Sequence, residues 1–164
     1  MKILFRVASI LTLLTLLMLA FRQYDKSATR ETRKRAKHLE NNIVFEGRII
    51  DFAQSNNHAF GLIRIQVSKS NVKQFHQSLR AGRVLPDTMW YPYRIQDNIA
   101  EIYSTISNRK VGEMVKVISN QQTIYYNPST SKETGALSMI TYSRDIDFIK
   151  EHTVSKSTPP LQSK

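Results

Sequence analysis

The sequence predicts an α+β protein. An N-terminal transmembrane helix is expected to precede a small antiparallel β-sheet, or a partly open β-barrel, with one or two packed helices. Three observations lead there. The run from Ile3 to Phe21 is almost wholly apolar. A strongly basic stretch, Arg22 to Glu40, follows it directly. Beyond it, short Ile/Val/Phe-rich segments with period-two alternation are separated by turn residues, which is the signature of strands. The expected organisation is a signal-anchor helix over 1–21, a basic helical linker over 22–40, a β-rich domain over 41–152 and a disordered tail over 153–164.

Ile3–Phe21 spans roughly 28 Å as a helix at about 1.5 Å per residue, close to a bilayer core of about 30 Å. Arg6 lies one turn from its start, where a long side chain can snorkel to the headgroups. A cleaved signal peptide, and so an exported protein, is the alternative. Met18 is too large for the position a cleavage site keeps small, which favours an uncleaved anchor.

The chain of 164 residues carries a formal net charge of +11. Residues 1–40 hold nine Lys/Arg against three Asp/Glu. Arg22, Lys26, Arg30, Arg33, Lys34, Arg35 and Lys37 all follow the apolar run. That asymmetry points to a lipid bilayer with anionic headgroups before it points to nucleic acid. By the positive-inside rule it sets the protein in the inner membrane, single-pass, with its C-terminal domain in the cytoplasm. The absence of cysteine excludes disulfides and a thiolate nucleophile.

Asn41–Gln54 and His58–Ser68 read as a hairpin across the turn-forming Ser55, Asn56 and Asn57. Gly47 and Gly61 inside these strands predict bulges or tight bends. Ser70 to Gly82 reads as a helix, capped by Ser70 and carrying Val72, Phe75, His76 and Leu79 on one face. Pro86 and Pro92 make the next segment an extended connector. Ala100, Ile102, Ser104 and Ile106 form one face of a further strand. A hairpin across Asn120–Gln122 follows, then a short strand over Ala136–Ser143. A terminal helix with Asp145 as its cap closes the domain.

No glycine-rich phosphate loop and no nucleophile elbow is present. The four histidines show no ligand spacing, so neither metal nor cofactor is expected. Asp145, Asp147 and Glu151 are the densest carboxylates, read as helix-capping charge. Trp90, Tyr91, Tyr93 and Arg94 are the candidate partner contact, with a lid over the barrel end as the plainer reading. The expected role is a non-enzymatic binding module at the membrane surface, partnered with another membrane protein. The alternatives are nucleic-acid or oligosaccharide binding by a barrel face, and a hydrolase whose site only the fold assembles.

Overall fold

A computed structural model describes residues 2–57, 59–75 and 89–153, with side chains in the first helix from residue 11 onward. The chain divides into two compact units, Met1–Lys37 and His38–Lys164. The first is a single helix, α1 (Lys2–Lys37).

The transmembrane expectation is corrected here. Among the described residues no helix is long and apolar enough to cross a membrane. The single-pass, signal-anchor and inner-membrane readings are therefore not supported, and among the described residues the charge asymmetry has no span to orient.

The second unit contains β1 (Val44–Gln54), β2 (Phe60–Ser70), β3 (Tyr93–Gln96), β4 (Ile99–Thr105), β5 (Met114–Ile118), β6 (Thr123–Tyr126), β7 (Thr134–Ala136) and α2 (Ser143–His152). The strands form one antiparallel sheet in the order β3-β4-β2-β1-β5-β6-β7. It curls into a half-barrel, bringing β7 near β4. The α+β class with a curled antiparallel sheet is what the alternation predicts.

Alternation decides the core. Phe45, Ile49, Ile63, Ile65, Ala100 and Ile102 are buried on the concave face. Leu62 and Tyr103 point the other way and pack against Ile146 and Ile149 of α2. Two bulges adjust the long β1–β2 ladder. Register shifts between Glu46 and Gly47 and between Ile49 and Asp51, leaving Ser68 and Ile50 as the extra residues. The second bulge keeps both Ile49 and Phe52 on the core face despite their three-residue spacing. Gly47 is required for a further reason: a Cβ there would lie 2.1 Å from the Gln66 carbonyl oxygen. Gly61 sits in unbroken register, and its Cβ would meet the Ala53 carbonyl oxygen at 2.4 Å.

The hairpins expected across 55–57 and 120–122 form, with β2 starting at Phe60. The second turns through a 3₁₀ segment, Ser119–Gln121, and a left-handed Gln122 at φ 52°. The helix expected from Ser70 does not begin. Ser70 ends β2, and its hydroxyl donates to the Val72 carbonyl at 2.7 Å, a local bond that competes with helix capping. Phe75 is extended and exchanges both backbone hydrogen bonds with Ile95 at 2.8 Å. The remainder of that expected helix, 76–82, lies outside the described residues, as does the expected disordered tail from 154 onward. The final strand is not the expected Ala136–Ser143: β7 lies upstream, over Thr134–Ala136, and shares only Ala136 with it. Past it, Ile140 forms an isolated bridge with Trp90. Helix α2 starts at Ser143, so Asp145 lies in its first turn and is not its cap.

Candidate binding site

The β1–β2 loop is built around one hydroxyl. Ser55 Oγ donates to the Phe60 carbonyl at 2.9 Å and accepts the Asn57 backbone N–H at 3.1 Å. Phe60 N–H returns to the Asn57 carbonyl at 2.9 Å. These bonds present the Asn57 side chain toward α2. Its amide donates to both carboxylate oxygens of Asp145, at 3.3 and 3.2 Å. Asp145 is only 6% exposed. The Tyr103 hydroxyl, on β4, lies 3.3 Å from Ser55 Oγ and also faces Asp145. Burial pushes the Tyr103 hydroxyl above its usual range; Ser55 opposes the shift and Asp145 reinforces it.

Two cavities border this pair, and both are lined by Asn57 and Asp145. The larger is an open cleft of about 580 Å³ between the loop and α2. Asp145, Asp147 and Glu151 line it, against Arg144 and His152. A carboxylate-rich cleft on a chain of net charge +11 is a local inversion of sign. The smaller cavity, about 200 Å³, has Phe60, Tyr103, Met139, Ile140 and Tyr142 among its walls.

Helix α2 is held at both ends. Asn57 fixes its first turn through Asp145. At its last turn Arg64 donates to the His152 carbonyl at 2.6 Å, where a cation also suits the helix dipole. The same guanidinium donates to Glu101 Oε1 at 3.3 Å and pairs with Asp51. Arg94 donates to Glu101 Oε2 at 2.7 Å. Glu101 is 3% exposed, so a buried carboxylate between two arginines underlies the helix.

The aromatic segment is dispersed by this architecture. Trp90 is half-buried, with the Lys150 ammonium 5.2 Å from its ring centre. Tyr91 is half-buried and stands edge-on to Phe75 at 5.1 Å. Tyr93 is fully buried; its hydroxyl donates to Asn41 Oδ1 at 2.9 Å, and burial pushes it up to about 12. Arg94 is committed to Glu101. The four are not gathered on one exposed surface, and Trp90 alone borders the α2 region through Lys150. The basic residues Arg22, Lys26, Arg30, Arg33, Lys34 and Lys37 are exposed along α1, and Arg35 is half-buried beside Glu31 at 3.5 Å.

Sequence reasoning missed Ser55, Asn57 and Tyr103 as site residues. The loop residues carried only a turn signal, and Tyr103 showed only that it occupies the outward parity of β4. Among the described residues no group of three or more His, Asp or Glu is placed to hold a metal ion. No protein-family model matches the chain, and no curated protein or solved structure is similar to it.

Proposed function

We propose that the β unit is a non-enzymatic binding module and that the cleft between the β1–β2 loop and α2 receives a basic segment of a protein partner. The observation that carries this reading is the carboxylate-lined cleft on an otherwise basic chain. Opposite charge on partner surfaces steers encounter and selects partners. Binding is favoured over catalysis by how the converging groups are used. The Ser55 hydroxyl proton goes to a backbone carbonyl and not to a base, so the serine is not an activated nucleophile.

Trp90, the single tryptophan, reports on the α2 region through Lys150. A lysine-rich peptide titrated into the full chain is expected to change Trp90 emission saturably, with the response weakening as salt rises. A glutamate-rich peptide is expected to leave it unchanged. The Asp147→Lys, Glu151→Lys double variant is expected to lose the response. Equal responses to the two peptides, or none to either, would overturn the reading.

A second reading belongs to the α1 unit. Six exposed cations on one helix, with Arg35 alone paired among the described residues, suit contact with anionic headgroups at a bilayer surface. Each basic residue near such a surface contributes about 1 kcal/mol. The full chain should then float with phosphatidylserine-containing vesicles. The variant with Gln at Arg33, Lys34, Arg35 and Lys37 should float less. Flotation unaffected by these changes would remove the basic run from the account.

A further inference from the structure

We infer that the smaller cavity is a binding site for an alkylammonium group, such as the side chain of a lysine or its methylated form. The inference rests on the binding reading above and names the group that the Asp145 end of the cleft selects.

Three features converge. The first is a nearly buried carboxylate without a cation. Among the described residues no Lys or Arg pairs with Asp145. Its hydrogen-bonding partner is neutral, the Asn57 amide, with the first turn of α2 beside it. Buried carboxylates are ordinarily paired with a charge. The Glu101 carboxylate, with two arginines, shows this chain providing that pairing elsewhere. The second feature is space: a cavity of about 200 Å³ is lined by Asp145 and shares Asn57 and Asp145 with the lining of the larger cleft. The third is an aromatic wall. The Phe60 and Tyr103 rings lie near-parallel with centroids 5.8 Å apart, and Tyr142, 73% exposed, stands at the rim. Aromatic faces attract ammonium ions, alkylated ones included.

The geometry also discriminates among cations. The Asn57 amide nitrogen sits nearly equidistant from both Asp145 oxygens and so fills the fork a guanidinium would use. A carboxylate has about four lone-pair sites, which leaves single-point acceptors free for an ammonium. A hard divalent cation needs more oxygen ligands than one carboxylate supplies.

The test uses the full chain and choline as the probe, read by NMR shifts of the Phe60, Tyr103 and Tyr142 rings and the Asn57 side-chain amide. Choline is expected to shift these signals saturably. Its uncharged tert-butyl isostere and methylguanidinium should each bind about tenfold more weakly, corresponding to about 1.4 kcal/mol. Asp145→Asn preserves the shape and removes the charge; it should lose about tenfold in choline affinity. Tyr142→Ala lies outside the core and should lose about threefold. Equal binding of the isostere, tighter binding of methylguanidinium, or unchanged affinity in a folded Asp145→Asn protein overturns the inference. Should Asp145→Asn not fold, unchanged affinity in Tyr142→Ala overturns it. The two readings separate cleanly. Peptide binding without a choline response sinks the ammonium site alone; choline binding without a peptide response sinks only the partner reading.

Discussion

Trp90 and Ile140 exchange both backbone hydrogen bonds at 2.8 Å, joining the segment ahead of β3 to the segment beyond β7. Those strands are the two edges of the sheet. One bridge therefore draws the edges of a half-barrel together, and it does so beside the candidate site, since Ile140 also lines the smaller cavity. Both amides should resist hydrogen exchange as strongly as strand-interior amides such as Ile65. Exchange as fast as in the exposed turn at Asn108 would show that the bridge opens on its own.

Ile65 is fully buried at the centre of the β1–β2–β4 ladder, opposite Ile49 on one side and Ala100 on the other. Ile65→Ala should cost about 2–5 kcal/mol, measured by urea denaturation at constant m. A cost under about half a kcal/mol would mean that neighbours collapse into the space.

Glu101 should be intolerant of truncation. Glu101→Ala leaves the half-buried Arg64 and Arg94 without their shared carboxylate, which should cost about 2–3 kcal/mol, less than the about 3–5 kcal/mol of a fully buried pair. It should also loosen the end of α2 that Arg64 holds, raising exchange at the Thr153 amide, which now bonds the Ile149 carbonyl at 3.0 Å. A variant as stable as the parent would show that the arginines find water or Asp51 instead.

Tyr93 sets an alkaline limit. Its hydroxyl is raised from 10 to about 12 in the folded chain. Between those values the unfolded chain loses the proton while the folded chain keeps it. Stability is thus unaffected below about pH 10 and falls as pH rises from 10 to 12, by about 2–3 kcal/mol in total. Denaturation midpoints across that window should fall steeply in the parent and less so in Tyr93→Phe. Parallel slopes would assign the alkaline loss to other groups.

Strand existence was legible because period two is a strong local signal: Ala100, Ile102 and Ser104 fall on one face as their spacing requires. The segment from Ser70 misled because Val72 and Phe75, three apart, suit a helical face equally well as an extended strip whose Phe75 docks on Ile95. Only that tertiary pairing decides between them. The carboxylates Asp145, Asp147 and Glu151 stood out in the sequence, but capping explained them. What makes Asp145 different is Asn57, eighty-eight positions earlier, brought to it by the loop. No local pattern carries that information. The apolar run after Lys2 was equally visible, yet among the described residues no helix is long and apolar enough to cross a membrane.

Ile50, the extra residue in β1, gives that strand two reading frames. Upstream, odd-numbered side chains such as Phe45 and Ile49 belong to the interior; downstream, even-numbered Phe52 does. Deleting Ile50 would merge the frames. Held in register upstream, the shortened strand would run Ile49, Asp51 and Phe52 opposite Ile65, Arg64 and Ile63 in plain alternation, so Phe52 would stay inside and Asp51 beside Arg64. The same loss of one residue from the Ser119–Gln122 turn would shorten a connection and leave β1 untouched. Tolerance to a change in length along this chain is therefore set by phase, and Ile50 is the position of β1 at which one residue can be lost without moving its neighbours to the opposite face.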